Sequence, residues 1–170
     1  MNTGQVFKTI TIGSQEWMAE NLNTPMESSW CRRDDPGGTK YGRFYTWEAA
    51  KKISLRGWHL PADSEWEELV NQLGGEKIAG EKLKKGGSSG FEAMLRGNRT
   101  LNGTFESPGK LENYWTSTEY DREWAWCRYL VGTISSVGHD RALKKAGYAV
   151  RCVRNRKNNR KQNNWWQFWK

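Results

Sequence analysis

The chain has 170 residues, 36% of them apolar, with 11 Trp, 6 Tyr, 5 Phe and 18 Gly, and a formal net charge of +8. That length fits one domain with a single core, and rings that each bury ~150–250 Å² make up for the modest aliphatic content. The glycines follow no period and no run approaches the ~18 apolar residues of a spanning helix, which excludes a collagen, a solenoid and a helical membrane span.

Met1–Gln5 is not a charged segment followed by an apolar one. A cytoplasmic or virion-associated location is therefore expected, with the cell surface open if a leader or partner domain lies outside the chain. Val6-Phe7-Lys8-Thr9-Ile10-Thr11-Ile12 alternates as a half-buried strand, stops at Gly13-Ser14 and predicts a hairpin with Glu16-Trp17-Met18. Trp17, Met18 and Leu22 read as core, and Asn21 and Asn23 as loop residues whose amides bond nearby backbone. The acidic turn Asp34-Asp35-Pro36-Gly37-Gly38 lacks the ligand series and closing Glu of a calcium loop and reads as solvated. Tyr41-Gly42-Arg43-Phe44-Tyr45-Thr46-Trp47 places aromatics at a core corner, with Thr46 set to cap a short helix over Trp47–Lys52.

Trp66, Leu69, Val70 and Leu73 fall at i, i+3, i+4 and i+7, so a helix is expected from Asp63, its cap, to Gly74, its stop. His59, within Gly57-Trp58-His59-Leu60-Pro61, has no nucleophile or carboxylate motif around it and is expected to be a satisfied buried imidazole. Ile78–Lys85 predicts a shorter helix with a basic outer face. The following Gly86-Gly87-Ser88-Ser89-Gly90 loop is not a phosphate cradle, because the Gly-x-x-x-x-Gly-Lys-Ser/Thr pattern is absent. Phe91 to Phe105 reads as short strands and turns.

Tyr114–Thr118, Ala125–Leu130 and Val150–Arg154 are apolar anchors of a strand scaffold. Between them lie Tyr120, Arg122, Trp124, Ser135, Ser136, His139, Asp140 and Arg141, residue types suited to contact rather than packing, which points to a binding surface on a rigid frame. Alternation in a strand puts Cys127 and Tyr129 on the face opposite Trp126, Arg128 and Leu130, so one face is expected to be packed while the other is free to differ. Three cysteines, an odd number, form no disulfide framework, and reduced thiols are expected.

Several blocks together carry a family likeness: Trp17-Met18-Ala19-Glu20-Asn21-Leu22, the Tyr41–Trp47 run, Gly57–Pro61 with Glu65-Trp66, Gly90-Phe91-Glu92-Ala93, Tyr114–Glu119 and Val150-Arg151-Cys152-Val153. Over residues 6–154 their order and spacing resemble the Fibrobacter succinogenes major paralogous domain family, and the last blocks are similar to variable proteins of diversity-generating retroelements. The resemblance implies an α+β, C-type lectin-like fold for residues 1–154, with short twisted antiparallel sheets, two or three helices and much irregular loop. It also implies a ligand face carrying a variable cassette. On this chain the face would consist of Tyr120, Asp121, Arg122 and Trp124, then Cys127 and Tyr129, then Ser135, Ser136, Gly138, His139 and Asp140. Many relatives carry a Cys before the Gly-Trp-His-Leu-Pro block; Ile53-Ser54-Leu55-Arg56 has none, so a disulfide from there to Cys152 cannot form.

Residues 155–170 lie beyond the likeness, carry Lys and Arg without an acid, and end in Trp165-Trp166-Gln167-Phe168-Trp169. Three uses are open for this tail: docking on the domain or a partner subunit, binding phosphates and bases, or meeting an anionic membrane interface. The expected function is non-enzymatic binding of a protein or glycan target, without cofactor, metal or catalytic set. The rivals are a structural attachment module of a surface or virion assembly, and a formylglycine-generating type of enzyme that would rely on Cys127 and Cys152.

Overall fold

A computed structural model describes residues 6–155 of the protein. In chain order the elements are β1 (Thr9–Ile12), β2 (Gln15–Met18), β3 (Ser29–Trp30), β4 (Phe44–Tyr45), α1 (Trp47–Lys51), α2 (Asp63–Gln72), α3 (Glu76–Leu83), β5 (Asn98–Arg99), β6 (Phe105–Glu106), β7 (Leu111–Glu119), β8 (Trp124–Val131), β9 (Val137–Leu143) and β10 (Val153–Asn155). Short antiparallel sheets, a few helices and long connections make this an α+β fold. Strands β1, β2 and β10 form one sheet in that order, so the two ends of the described chain are paired through β2. The longest sheet is β7-β8-β9, with Trp124 opposite Leu143 and Leu130 opposite Val137. Of the expected tail 155–170, Asn155 ends β10 and residues 156–170 lie outside the described residues; among the described residues no helix is long and apolar enough to cross a membrane.

Local chemistry sets the helix starts. The Thr46 hydroxyl accepts from the Ala49 amide at 3.2 Å, as expected of a cap for α1. Helix α2 departs from expectation. Its cap position is Ala62, which has no side-chain acceptor, and only Glu65 reaches back, taking the Ala62 amide at 2.8 Å. Asp63 is already helical, and its carboxylate turns away to Arg128. His59, expected to be a buried imidazole, also departs from expectation. It is exposed and stands 2.7 Å from Glu65, because the bridge from His59 to Val153 directs its ring outward over the first turn of α2.

The core has two halves separated by β7. Neighbours along a strand point to opposite faces, so Tyr114 enters one half and Trp115 the other. On the first side Trp17, Trp66, Phe91 and Tyr114 are mutually tilted or edge-on, with centroids 5.0–6.0 Å apart. On the second, Trp115 lies 4.5 Å from Tyr148 and shares its cluster with Tyr45, Trp47, Cys127 and Cys152. The three cysteines are unpaired.

On the Tyr114 side of β7 the first half borders a buried polar node, with the Arg151 guanidinium 4.1 Å from the Phe91 ring. Glu112 is 0% exposed, and its Oε1 accepts from Asn21 Nδ2 at 2.6 Å and from Arg96 Nε at 2.8 Å. Its Oε2 accepts from the amides of Met94 (3.0 Å) and Leu95 (2.9 Å). Arg151, 1% exposed, donates to Asn21 Oδ1 at 2.6 Å and to the carbonyls of Phe91 and Glu92. Asn21 thus serves as a bridge between distant segments rather than a clip for its own loop. Asn23 does bond backbone, donating to the Gly37 carbonyl at 3.0 Å.

Burial by itself would push the Glu112 carboxyl up, but the guanidiniums of Arg96 and Arg151 outweigh it and hold the group below its ordinary value. Removing one partner from such a node leaves buried charge uncompensated, so Glu112→Gln is expected to cost about 3–5 kcal/mol. A carboxyl lowered on folding stabilises above its unfolded-state value of ~4.3, and that contribution fades as pH falls towards the folded value. The thermal midpoint of the wild type should therefore drop more steeply below about pH 4 than that of Glu112→Gln. Parallel acid limbs in calorimetry would refute this role for Glu112.

Candidate recognition surface

The register of β8 against β9 divides the residues expected on one face into separate places. Paired residues share a face, so Trp126 with Arg141 and Arg128 with His139 lie on one side, and Cys127 with Asp140 and Tyr129 with Gly138 on the other. The alternation was legible; which face is accessible was not. Both faces are partly covered, because Leu130 and Val137 pack in the half with Trp66 while Ala125, Cys127 and Ala142 pack in the half with Trp115.

What remains open is the stretch of the first face beyond the start of α2. There Trp126, half-buried, stacks on His139 at 4.4 Å and 27°, and Tyr120 meets Trp126 edge-on at 5.1 Å and 87°. The Arg141 guanidinium lies 4.6 Å over the Tyr120 ring and donates to its hydroxyl at 2.7 Å. Tyr120, His139 and Arg141 are exposed. Beneath them Asp63 receives Arg128 through two bonds of 2.8 and 2.9 Å, and His139 Nε2 lies 3.2 Å from the same carboxylate. The result is a continuous contact series: Arg141, Tyr120, Trp126, His139, Asp63, Arg128.

The loop between β7 and β8 adds Asp121 and Arg122, both exposed. Asp121 is committed internally, since one oxygen accepts from the amides of Glu123 and Trp124, each at 2.8 Å. Trp124 is half-buried and makes no ring contact among the described residues. A cleft of about 710 Å³ opens beside this loop, lined among others by Leu101, Arg122, Glu123 and Lys145.

The other expected contact residues lie elsewhere. Cys127 is 2% exposed, packed in the second core half, and is withdrawn from any binding surface. Burial, with the Asp140 carboxylate adding to it, raises its thiol to about 12. Tyr129 is half-buried, its ring lying over Gly138 so closely that a Cβ there would stand 2.0 Å from Cζ. Asp140 is exposed on that same side and caps the Arg141 amide at 2.7 Å. Ser135 and Ser136 belong to the turn after β8, ~24 Å from Trp124 at ~3.4 Å per strand residue. Their carbonyls face α3, and Glu81 donates its amide to the Ser135 carbonyl at 3.1 Å.

Residues 10–154 match the model of the Fibrobacter succinogenes major domain. The chain belongs to this family. No curated protein and no solved structure matches it. Within the Fibrobacter succinogenes major domain as folded here, two partners of the surface were missed: Trp126, assigned to the packed side, and Asp63, assigned to capping. A strand covered on both faces does not reveal by alternation which side is free, and a pair separated by 65 positions leaves no local pattern.

Thiol chemistry checks the placement of Cys127. Cys31 is half-buried with the Arg43 guanidinium 2.9 Å from its sulfur, whereas Cys127 and Cys152 are buried and both raised to about 12. A disulfide reagent on the native protein is expected to modify Cys31 alone, the other two reacting only on unfolding. Fast native reaction of Cys127 would return it to the surface.

Proposed function

We propose that the protein is a non-enzymatic recognition module on a C-type lectin-like scaffold, with Tyr120, Asp121, Arg122, Trp126, His139 and Arg141 forming its binding face. The observation that carries this reading is the meeting of three rings and a guanidinium on exposed structure anchored below by Asp63. Aromatic and Arg side chains supply large contact area at small conformational cost, and their mutual stacking reduces that cost further. The partner is a protein or a glycan. By likeness to retroelement variable proteins, exposed positions of this face other than Asp121, whose carboxylate holds its own loop, would differ between gene copies over a constant frame.

A thiol enzyme is the weaker reading. Cys127 and Cys152 are both buried, and at about 12 neither thiol holds an appreciable thiolate fraction near neutral pH. An attachment module would rely on the tail, which lies outside the described residues.

Protein and glycan arrays probed with the wild type and with Tyr120→Ala/Arg141→Ala test the face. Array signals are expected to fall at least ~10-fold, equal to ~1.4 kcal/mol, while the thermal midpoint stays within ~2 °C. Signals of equal strength from both proteins would overturn the assignment. DNA sequencing of the locus tests the retroelement part: a near-repeat differing at adenines and a reverse transcriptase gene are expected, and absence of both would remove it.

A further inference from the structure

Lysines hold the loops at both ends of β8, and they do so largely through backbone carbonyls. Lys84, just past α3, donates from Nζ to the carbonyls of Val131 (3.1 Å), Gly132 (3.2 Å) and Ile134 (2.8 Å). At the other end Lys144, 8% exposed, donates to the Arg122 carbonyl at 3.1 Å, pairs with the Glu119 carboxylate and lies 4.6 Å over the Trp47 ring. Its amide also donates to the Glu123 carbonyl at 2.9 Å. Arg122, Glu123, Thr133 and Ile134 are exposed, and among the described residues their side chains make no hydrogen bond or ion pair.

We propose that Lys84 and Lys144 are positioning residues that fix the course of both loops whatever the loops' side chains are. Arg122, Glu123, Thr133 and Ile134 are then positions whose side chains can be exchanged without moving the loop that bears them, and of these Arg122 lies on the recognition face. A carbonyl is present at every residue, so a clamp on carbonyls survives substitution of the residue that bears it. The same geometry marks positions that are not exchangeable. Asp121 holds two loop amides, and Gly80 has no room for a Cβ, which would stand 2.3 Å from the Ser136 carbonyl oxygen. The proposal rests on the recognition reading only for Arg122, and adds how the loop bearing that residue keeps its course when its side chains change.

The test is a panel of full-chain variants in which Thr133 and Ile134, or Arg122 and Glu123, are exchanged together for Ser, Asn, Lys and Glu. With Lys84 in place, thermal midpoints are expected within ~2 °C of one another, since surface changes without partners are nearly neutral. In a Lys84→Met background, which keeps the apolar stem and deletes the ammonium, amide exchange over residues 131–135 is expected to rise at least ~10-fold and to scatter between variants. Lys84→Arg should restore it. Midpoints scattered by more than ~6 °C with Lys84 present would overturn the proposal, as would exchange indifferent to Lys84→Met. The native-background panel decides even where Lys84→Met does not fold. No ligand is measured, so failure here leaves the array result standing, and failure on the arrays leaves the clamps standing.

Discussion

The Glu112 carboxylate, buried with acceptor contacts to Asn21, Arg96 and the amides of Met94 and Leu95, joins parts of the chain that hydrophobic packing alone would not place in register. Apolar rings tolerate sliding; a buried charge does not, because any displaced donor leaves the oxygen unsatisfied at a cost of ~1–3 kcal/mol or more. The node also holds backbone that would otherwise relax. Glu92 and Leu95 have φ of 57° and 54°, a region costing ~1–2 kcal/mol for residues with a Cβ, and the carbonyl of the first and the amide of the second are both engaged by the node. Its contribution is therefore better understood as fixing one arrangement than as adding net stability, in line with the high desolvation cost of buried pairs.

That arrangement explains where the accessible surface falls. With β7 central to both core halves, its neighbour β8 is covered on both faces over much of its length, and free surface survives only where a covering element stops. Helix α2 starts at Asp63, and Asp63 is the residue that meets Arg128 and His139. The boundary of the accessible surface, and of the proposed recognition face with it, is thus the first turn of that helix. Toward the turn after β8, α3 takes over the covering role. Its Gly80 lets the helix approach the carbonyls of Ser135 and Ser136 closely, which separates those serines from Tyr120.

Local pattern carried much of the fold. Period-two alternation located the β1–β2 hairpin, the i, i+3, i+4, i+7 spacing located α2, and Thr46 stood where a cap was needed. Each of these depends on neighbours within a few positions. What escaped depends on distant ones: Asn21 meets Glu112 across 91 positions, and Asp63 meets Arg128 across 65. For the candidate site, alternation along β8 was legible and the side left open was not. Tyr120 and His139 meet through Trp126, and Asp121 and Arg122 follow Tyr120 in the loop, while Cys127 packs inside, Tyr129 and Asp140 occupy the reverse side, and Ser135 and Ser136 occupy the far turn. Burial of both faces of β8 is the physical reason, since alternation distinguishes two sides without naming the open one.

The half-burial of Trp126 bears on how such a surface can be both firm and changeable. Were it fully exposed, its orientation would have to be fixed on binding, at ~0.5–1.5 kcal/mol for a side chain of that kind. Held between His139 and Tyr120, it is already oriented, and His139 is in turn oriented by Asp63. Order therefore passes outward from the helix start to the ring and then to Tyr120 and Arg141 at the rim. Changes at the rim alter what is presented while the inner contacts persist; a change at Trp126 releases both neighbours together. On the proposed reading, the inner stack is accordingly the constant part of the surface and the rim its adjustable part.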